Sequence, residues 1–297
     1  KIMKAFKILW QFSRPHTIIG SLCSITALYI IACQGKVLAG HLDLYFLTLA
    51  AALACNIFIV GINQIADVEM DKINKPYLPL AAGTLSRKNA LSIVYTALVI
   101  CLILSFFASL FYFVLIVIIL LIGIAYSQPP LYLKQHHLSA ALAITFVRGF
   151  LVNVAIFLHF QKTINGNYDL PGYIWCLALF IMAFSIAIAW FKDLPDTAGD
   201  EKFHVKTLAV LYSKKNALLG GTVMVSAAYA AVILWSFFYA TKNREFLLTT
   251  HGLLFTLFLF NYSFVKLGDN NSIKRFYLRF WVFFFAEYIL FAAWMMI

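Results

Sequence analysis

Hydrophobic positions run through this chain in long unbroken blocks, and polar residues are confined to the breaks between them. Nine blocks stand out, at residues 16–33, 44–62, 91–108, 110–126, 138–160, 173–191, 216–239, 248–266 and 278–297. A helix crosses about 30 Å of hydrocarbon with roughly 20 apolar residues, so each block is expected to be a transmembrane helix. The blocks are rich in Leu, Ile, Ala and Phe and lack the alternation of a membrane β-barrel. The third and fourth nearly merge. As one helix, the 36 residues of 91–126 would be about 54 Å long at about 1.5 Å per residue. That is too long for one crossing, so a tight hairpin is expected within Ser105–Tyr112. The expected fold is an all-α polytopic membrane protein. The connections are short and none reads as a linker, so residues 1–297 are expected to form a single transmembrane domain.

Charge tests that count. With the N-terminus and the ends of even-numbered blocks on one side, 18 of the 23 Lys and Arg residues fall there and four on the other, with Arg148 inside a block. Basic residues concentrate on the cytoplasmic side of membrane proteins, so the division supports nine crossings and a cytoplasmic N-terminus. Fusing the third and fourth blocks would spoil it. The chain is 63% hydrophobic and only 12% charged, more apolar surface than a soluble domain of 297 residues could cover. Its net charge of +11 therefore reads as a topology signal. No compact basic domain is present to bind nucleic acid. The lipid bilayer is the expected partner, and the basic side should favour anionic headgroups or an anionic substrate. Oligomeric state is left open. The five cysteines lie inside apolar blocks without C-x-x-C spacing, as small buried side chains, and no signal or transit segment is read.

Two breaks carry the chemistry. After the second block come Asn63, Asp67 and Asp71, four apart and so on one face of a helix, with Glu69 pointing away. After the sixth come Lys192, Asp193, Asp196 and Asp200, the last two again four apart, although Pro195 and Gly199 argue against a regular helix there. One such pair alone reads as a solvated helix end. The crossing parity brings both to the same membrane face, where so many carboxylates are costly unless a cation lies among them. One or more Mg2+ ions are the expected resolution, since hard divalent cations take oxygen ligands. Lysines gather at the same mouth: Lys72 and Lys75, Lys134 at the close of the segment from Tyr126, Lys192, Lys202 and Lys206. Carboxylates, lysines and Mg2+ together suit a diphosphate. Within the blocks, Arg148 is expected to face a cavity and Glu287 is a candidate to pair with it. For Asn56, Asn153 and Asn261 interhelical hydrogen bonds are expected. The seven histidines lack metal-binding spacing, and only His16, beside Arg14 and Pro15, draws notice.

The segments Phe12–Gly20, Asn63–Asp71, Asn74–Gly83 and Phe191–Asp196 resemble those of the UbiA superfamily of intramembrane prenyltransferases, and the resemblance extends over nearly the whole chain. Their wording is similar to that of the homogentisate prenyltransferase branch, which serves tocopherol and plastoquinone biosynthesis. Ubiquinone-type members more often show Asn-Asp-Tyr where this chain has Asn63-Gln64-Ile65. The resemblance implies nine helices around a central cavity. It implies that Asn63, Asp67, Asp71, Asp193, Asp196 and Asp200 hold Mg2+ on the diphosphate of an isoprenoid chain. Asp67, Asp71, Asp196, Asp200 and Lys192 are then the expected catalytic residues. Arg14, His16, Asn63, Lys72, Lys75, Tyr126, Lys134, Arg148, Lys202 and Lys206 are the expected substrate-binding residues. Departure of the diphosphate would leave an allylic carbocation open to attack by an aromatic acid, in this branch homogentisate, whose product loses carbon dioxide and a ring proton. Donors of phytyl or geranylgeranyl type are implied, as is a bacterial inner membrane or plastid membrane with the mouth on the cytoplasmic or stromal side. The alternatives are another acceptor, such as 4-hydroxybenzoate, a naphthoate or a chlorophyllide, or a secondary transporter. A transporter places its carboxylates near the midplane between repeated halves, and a cation channel places them around an oligomer axis.

Overall fold

The computed structural model describes residues 2–36 and 39–297. In hydrocarbon, backbone groups must find partners within the segment itself, and every apolar block is helical. Nine helical spans among the described residues are long and apolar enough to cross a membrane. They are α2 (Pro15–Ala32), α3 (Leu42–Ala66), α5 (Arg87–Ala108), α6 (Leu110–Ser127), a composite fifth span (His137–Asn165), α9 (Gly172–Phe191), α12 (Lys214–Tyr239), α13 (Arg244–Ser263) and α14 (Asn270–Met296). Four short helices lie between or before them: α1 (Ile2–Phe12), α4 (Val68–Asn74), α10 (Thr197–Lys202) and α11 (Leu208–Leu211). The fifth span is not one regular helix. It runs as α7 (His137–Ile144), a π-helix (Thr145–Ala155) and α8 (Ile156–Asn165).

The hairpin expected within Ser105–Tyr112 falls at Ser109, whose backbone is extended between α5 and α6. Its hydroxyl accepts the backbone N–H of Tyr112 at 3.1 Å, capping α6. The same oxygen meets His159 Nδ1 at 2.9 Å, and His159 Nε2 meets Thr48 Oγ1 at 3.0 Å. One histidine thus ties the hairpin to α3 and α8.

Hydrogen bonds at the two ends of the bundle follow the predicted parity. On one face, Asn74 of α4 reaches α10, Asn270 Nδ2 donates to Pro195 O at 3.2 Å, and His136 and Lys206 form an isolated parallel bridge. On the other, Asn165 Nδ2 donates to Ala32 O at 2.9 Å and Trp294 Nε1 to Lys242 O at 2.8 Å. The interior between is aromatic: Phe184 stacks on Phe280 at 5.0 Å and 10°, and Phe191 stands edge-on to Phe280 at 4.9 Å. In a cysteine-free background, Lys88→Cys and Lys202→Cys are expected to react with an impermeant maleimide from the same side of a sealed vesicle, and Lys162→Cys from the other. All three positions are exposed. Labelling of 88 and 202 from opposite sides would break the count of crossings.

Candidate active site

At the end of α3 the helix breaks at Asp67 and restarts as α4. The hydrogen bonds nevertheless keep their step of four. Asp67 N donates to Asn63 O at 3.0 Å, Asp71 N to Asp67 O at 2.7 Å, and Lys75 N to Asp71 O at 2.7 Å. Asn63, Asp67, Asp71 and Lys75 therefore share a side despite the break. Asp67 and Asp71 are buried. Glu69 faces outward, 68% exposed, and takes Lys72 with it at 2.7 Å.

The second motif is a turn followed by a helix. Beyond Phe191 the chain turns through Lys192–Asp196, around Pro195, before α10 begins. Asp196 N donates to Asp193 O and Asp200 N to Asp196 O, both at 3.1 Å, so the chain turns tightly through the three aspartates, and all three are buried. Asn74 joins the two motifs. Its Oδ1 accepts Gly199 N–H at 2.9 Å and its Nδ2 donates to Asp200 Oδ1 at 3.3 Å. A Cβ on Gly199 would stand 2.5 Å from Asn74 Oδ1, so only glycine permits this approach. In the sequence Asn74 stands only as the first residue of the resembling segment Asn74–Gly83, with no role assigned to it.

Cations face the carboxylates from several sides. Lys75 bonds to Asp196 and lies 3.9 Å from Asp71. Lys134, buried, bonds to Asp67. Lys192 bonds to Asp193 at 2.7 Å. Arg14 approaches Asp71 at 4.0 Å. Arg14 takes a left-handed backbone, φ 53°, directly before Pro15 at the start of α2. That conformation is strained for a side chain with a Cβ, and here it brings the guanidinium to the acidic cluster. Two loops deliver the rest. Lys206 N donates to Gln135 O at 2.8 Å and His137 N to Lys206 O at 3.0 Å, stitching the loop that carries Lys134 to the one after α10.

The electrostatics record the crowding. Burial pushes Asp71 and Asp193 above the usual carboxylate range. Asp200 is pushed up to about 7, first by burial and then by Asp193 and Asp196. Burial alone would lower Lys75 and Lys192, but the carboxylates beside them, Asp196 and Asp193 foremost, outweigh it and raise both. For Lys134 burial wins over Asp67, and its ammonium is held below the ordinary range. A hard cation suits these donors. Asp196 Oδ1 and Asp200 Oδ2 are buried without a hydrogen-bond partner. No three Asp, Glu, His or Cys side chains among the described residues converge on one point as they stand, and Lys75 and Lys134 lie against the carboxylates. An ion here would require those ammonium groups to yield.

The remaining predicted residues divide into two sets. Asn63 Nδ2 donates to Ser127 Oγ at 3.3 Å, next to Tyr126, and Tyr126 lies within electrostatic range of both Lys192 and Arg148. His16 packs tilted against Trp281, with centroids 4.8 Å apart, and the Arg148 guanidinium lies over the same indole at 4.9 Å. Lys72, Lys202 and Lys206 stand apart: their side chains are exposed, and Lys206 contributes its backbone to the loop junction.

The pattern of the UbiA prenyltransferase family matches residues 21–286. The chain belongs to this family. A homogentisate phytyltransferase of Synechocystis sp. is 39% identical over 99% of this chain and 97% of its own length. A homogentisate geranylgeranyltransferase of Triticum aestivum is 33% identical over 98% of this chain and 73% of its own. Among solved structures, a UbiA homologue from Archaeoglobus fulgidus bound to GPP and Mg2+ superposes with a TM-score of 0.64 at 16% identity, covering 96% of this chain and 99% of that one. The superposition shows a shared fold, and the family match with nine membrane-length helices among the described residues makes this chain a multi-pass membrane prenyltransferase.

Asn74 gives this UbiA member a specific expectation. Asn74→Ala and Gly199→Ala should each lower turnover by about 10- to 100-fold, since each breaks the buried bonds joining α4 to α10. The double variant should be little worse than either single one. Initial rates with all four proteins provide the check, and strictly additive losses would separate Asn74 from Gly199.

Proposed function

We propose that this chain transfers a prenyl group from its diphosphate to a ring carbon of an aromatic acceptor, homogentisate, in a Mg2+-dependent reaction. The observation that carries this reading is the clamp at Asn74, which sets two buried carboxylate motifs face to face among lysines. The names of the phytyl- and geranylgeranyltransferase relatives support the acceptor and the class of donor. Asp67, Asp71, Asp196 and Asp200, with Asn63 and Asp193 beside them, would hold the Mg2+, which when bound neutralises charge on diphosphate oxygens.

The protein groups account for the rest. Lys75, Lys134, Lys192 and Arg14 stand where a diphosphate meeting the carboxylates needs cations. As the C–O bond of the donor breaks, its electron pair leaves with the diphosphate, and the ammonium groups gathered at the site stabilise that charge. The electron-rich ring forms the new C–C bond and loses a proton, and the acetate arm then loses carbon dioxide and takes up a proton at its methylene carbon. The aromatic helix faces keep water from the allylic cation. In this reading residues 1–297 act as one transmembrane domain. The mouth opens to the cytoplasm or the plastid stroma, following the basic residues.

The test uses purified protein with phytyl, geranylgeranyl and longer prenyl diphosphates against homogentisate and 4-hydroxybenzoate, with Mg2+ or with EDTA. Mass spectrometry should find the C-prenylated, decarboxylated quinol from homogentisate only with Mg2+. Prenylation of 4-hydroxybenzoate alone would overturn the acceptor, and no transfer from any donor would overturn the activity.

A further inference from the structure

Regular helix fails inside the fifth span, at membrane depth. Residues Thr145–Ala155 wind as a π-helix, a form that occurs mostly as single turns and often where a functional side chain must be re-aimed. Asn153, wholly buried, braces the wide turn. Its Nδ2 donates to Arg148 O at 2.9 Å and Gly149 O at 2.8 Å, while its Oδ1 accepts the Tyr288 hydroxyl of α14 at 3.0 Å. On one side the turn is pressed against α9, where a Cβ on Gly149 would stand 2.8 Å from Met182 Cα. On the other it presents Arg148 to α14, with the guanidinium 4.9 Å from the Trp281 ring and 5.9 Å from that of Phe284.

Both rings are buried, yet Arg148 itself is only partly so. Its guanidinium lies against these buried rings, inside the bundle. No carboxylate among the described residues pairs with it, and Glu287 is bonded to His251 instead. An arginine without an acid at this depth is costly, and stacking on indole offsets only part of that cost. The diphosphate end already has its own cations in Arg14, Lys75, Lys134 and Lys192. His16, two residues from Arg14, packs tilted against Trp281 at 4.8 Å and so lies between the two regions. A second anion is thus expected beyond the first, beside aromatic faces.

We propose that Arg148, aimed by the π-helical turn at Asn153 and stacked on Trp281, binds the carboxylate of the aromatic acceptor and so selects acids over neutral hydroquinones. This rests on the acceptor class proposed above. The planar fork of arginine matches a carboxylate in two parallel hydrogen bonds, and an acceptor ring held this way lies against Trp281 and His16. Asn153 and Tyr288 are positioning residues that hold the turn.

The test compares homogentisate with 2-methylhydroquinone, which lacks the carboxyl group, at saturating geranylgeranyl diphosphate. The wild type should prefer homogentisate. Arg148→Gln should lower kcat/KM for homogentisate by about 10- to 100-fold, through KM, while changing that for 2-methylhydroquinone by less than about threefold. Arg148→Lys should recover part of the loss, because a lysine keeps the charge and loses the fork. Equilibrium dialysis of homogentisate without donor should show the same loss of affinity in Arg148→Gln. Equal losses for both acceptors, a rise in donor KM, or a wild type indifferent to the carboxyl group would each overturn the proposal. A wild type that prenylates neither hydroquinone defeats the acceptor class instead; dialysis still decides whether Arg148 holds the acid.

Discussion

Asp67→Asn is expected to abolish prenyl transfer, with turnover down by about 1,000-fold or more, while Glu69→Gln should stay within about twofold of the wild type. The contrast follows from burial and pairing. Asp67 is 6% exposed and bonded to the buried Lys134, whereas Glu69 faces outward with Lys72. An amide in place of the Asp67 carboxylate keeps the shape and removes the charge. It leaves a buried ammonium without its counterion and takes a hard oxygen donor from any Mg2+ at the site. Losing charge stabilisation worth several kcal/mol at the departing diphosphate costs orders of magnitude in rate. Asp196→Asn should behave alike, since Asp196 is the partner of Lys75 from the opposite motif. Steady-state turnover with Mg2+ titrated at saturating substrates checks both, with size-exclusion profiles to confirm folding. Full turnover by Asp67→Asn with an ordinary Mg2+ requirement would remove it from the site.

Much of the fold was legible because hydrocarbon enforces simple rules. Block length gave the spans, excess length placed a hairpin within Ser105–Tyr112, and the bias of Lys and Arg fixed the parity that brings α4 and α10 to one face. The step of four among Asn63, Asp67 and Asp71 survived a break in the helix because the hydrogen bonds kept that step through it. What escaped depends on partners distant in sequence. Asn74 gained its role only from Gly199, 125 residues away. The π-helix at Thr145–Ala155 could not be read from the sequence, since Arg148 and Asn153 show polar positions there but not a winding wider than the α-helix. Lys72, Lys202 and Lys206 were read into the site from proximity in sequence. Proximity cannot tell the inner face of a short helix from the outer, and the structure turns these side chains outward. Glu287 was a candidate partner for Arg148, but a residue on α14 can meet either the fifth span or α13, and it meets His251 of α13.

That pairing predicts the largest effect on stability outside the site. His251 and Glu287 are both fully buried. His251 Nδ1 lies 2.7 Å from Leu247 O, a carbonyl that can only accept, so Nδ1 carries a proton. Nε2 and Glu287 Oε1, 3.1 Å apart, then share one further proton, whichever of the two holds it. Glu287 Oε2 and the Tyr229 hydroxyl, both buried, have no partner, so the carboxyl group has nothing to turn to if the imidazole is lost. His251→Leu should therefore destabilise the protein by roughly 3–5 kcal/mol, the cost of breaking a buried pair by removing one partner. The double variant His251→Leu/Glu287→Leu should regain most of that, because replacing both partners by apolar groups removes the stranded polar atom as well. Thermal unfolding in detergent of the wild type, both single variants and the double variant gives the coupling directly. Additive losses would mean that the two side chains do not act as a pair. Because Glu287 is engaged by His251 and not by Arg148, Glu287→Gln should leave the acceptor KM unchanged where Arg148→Gln raises it. A parallel rise would mean that Glu287 orients the guanidinium after all.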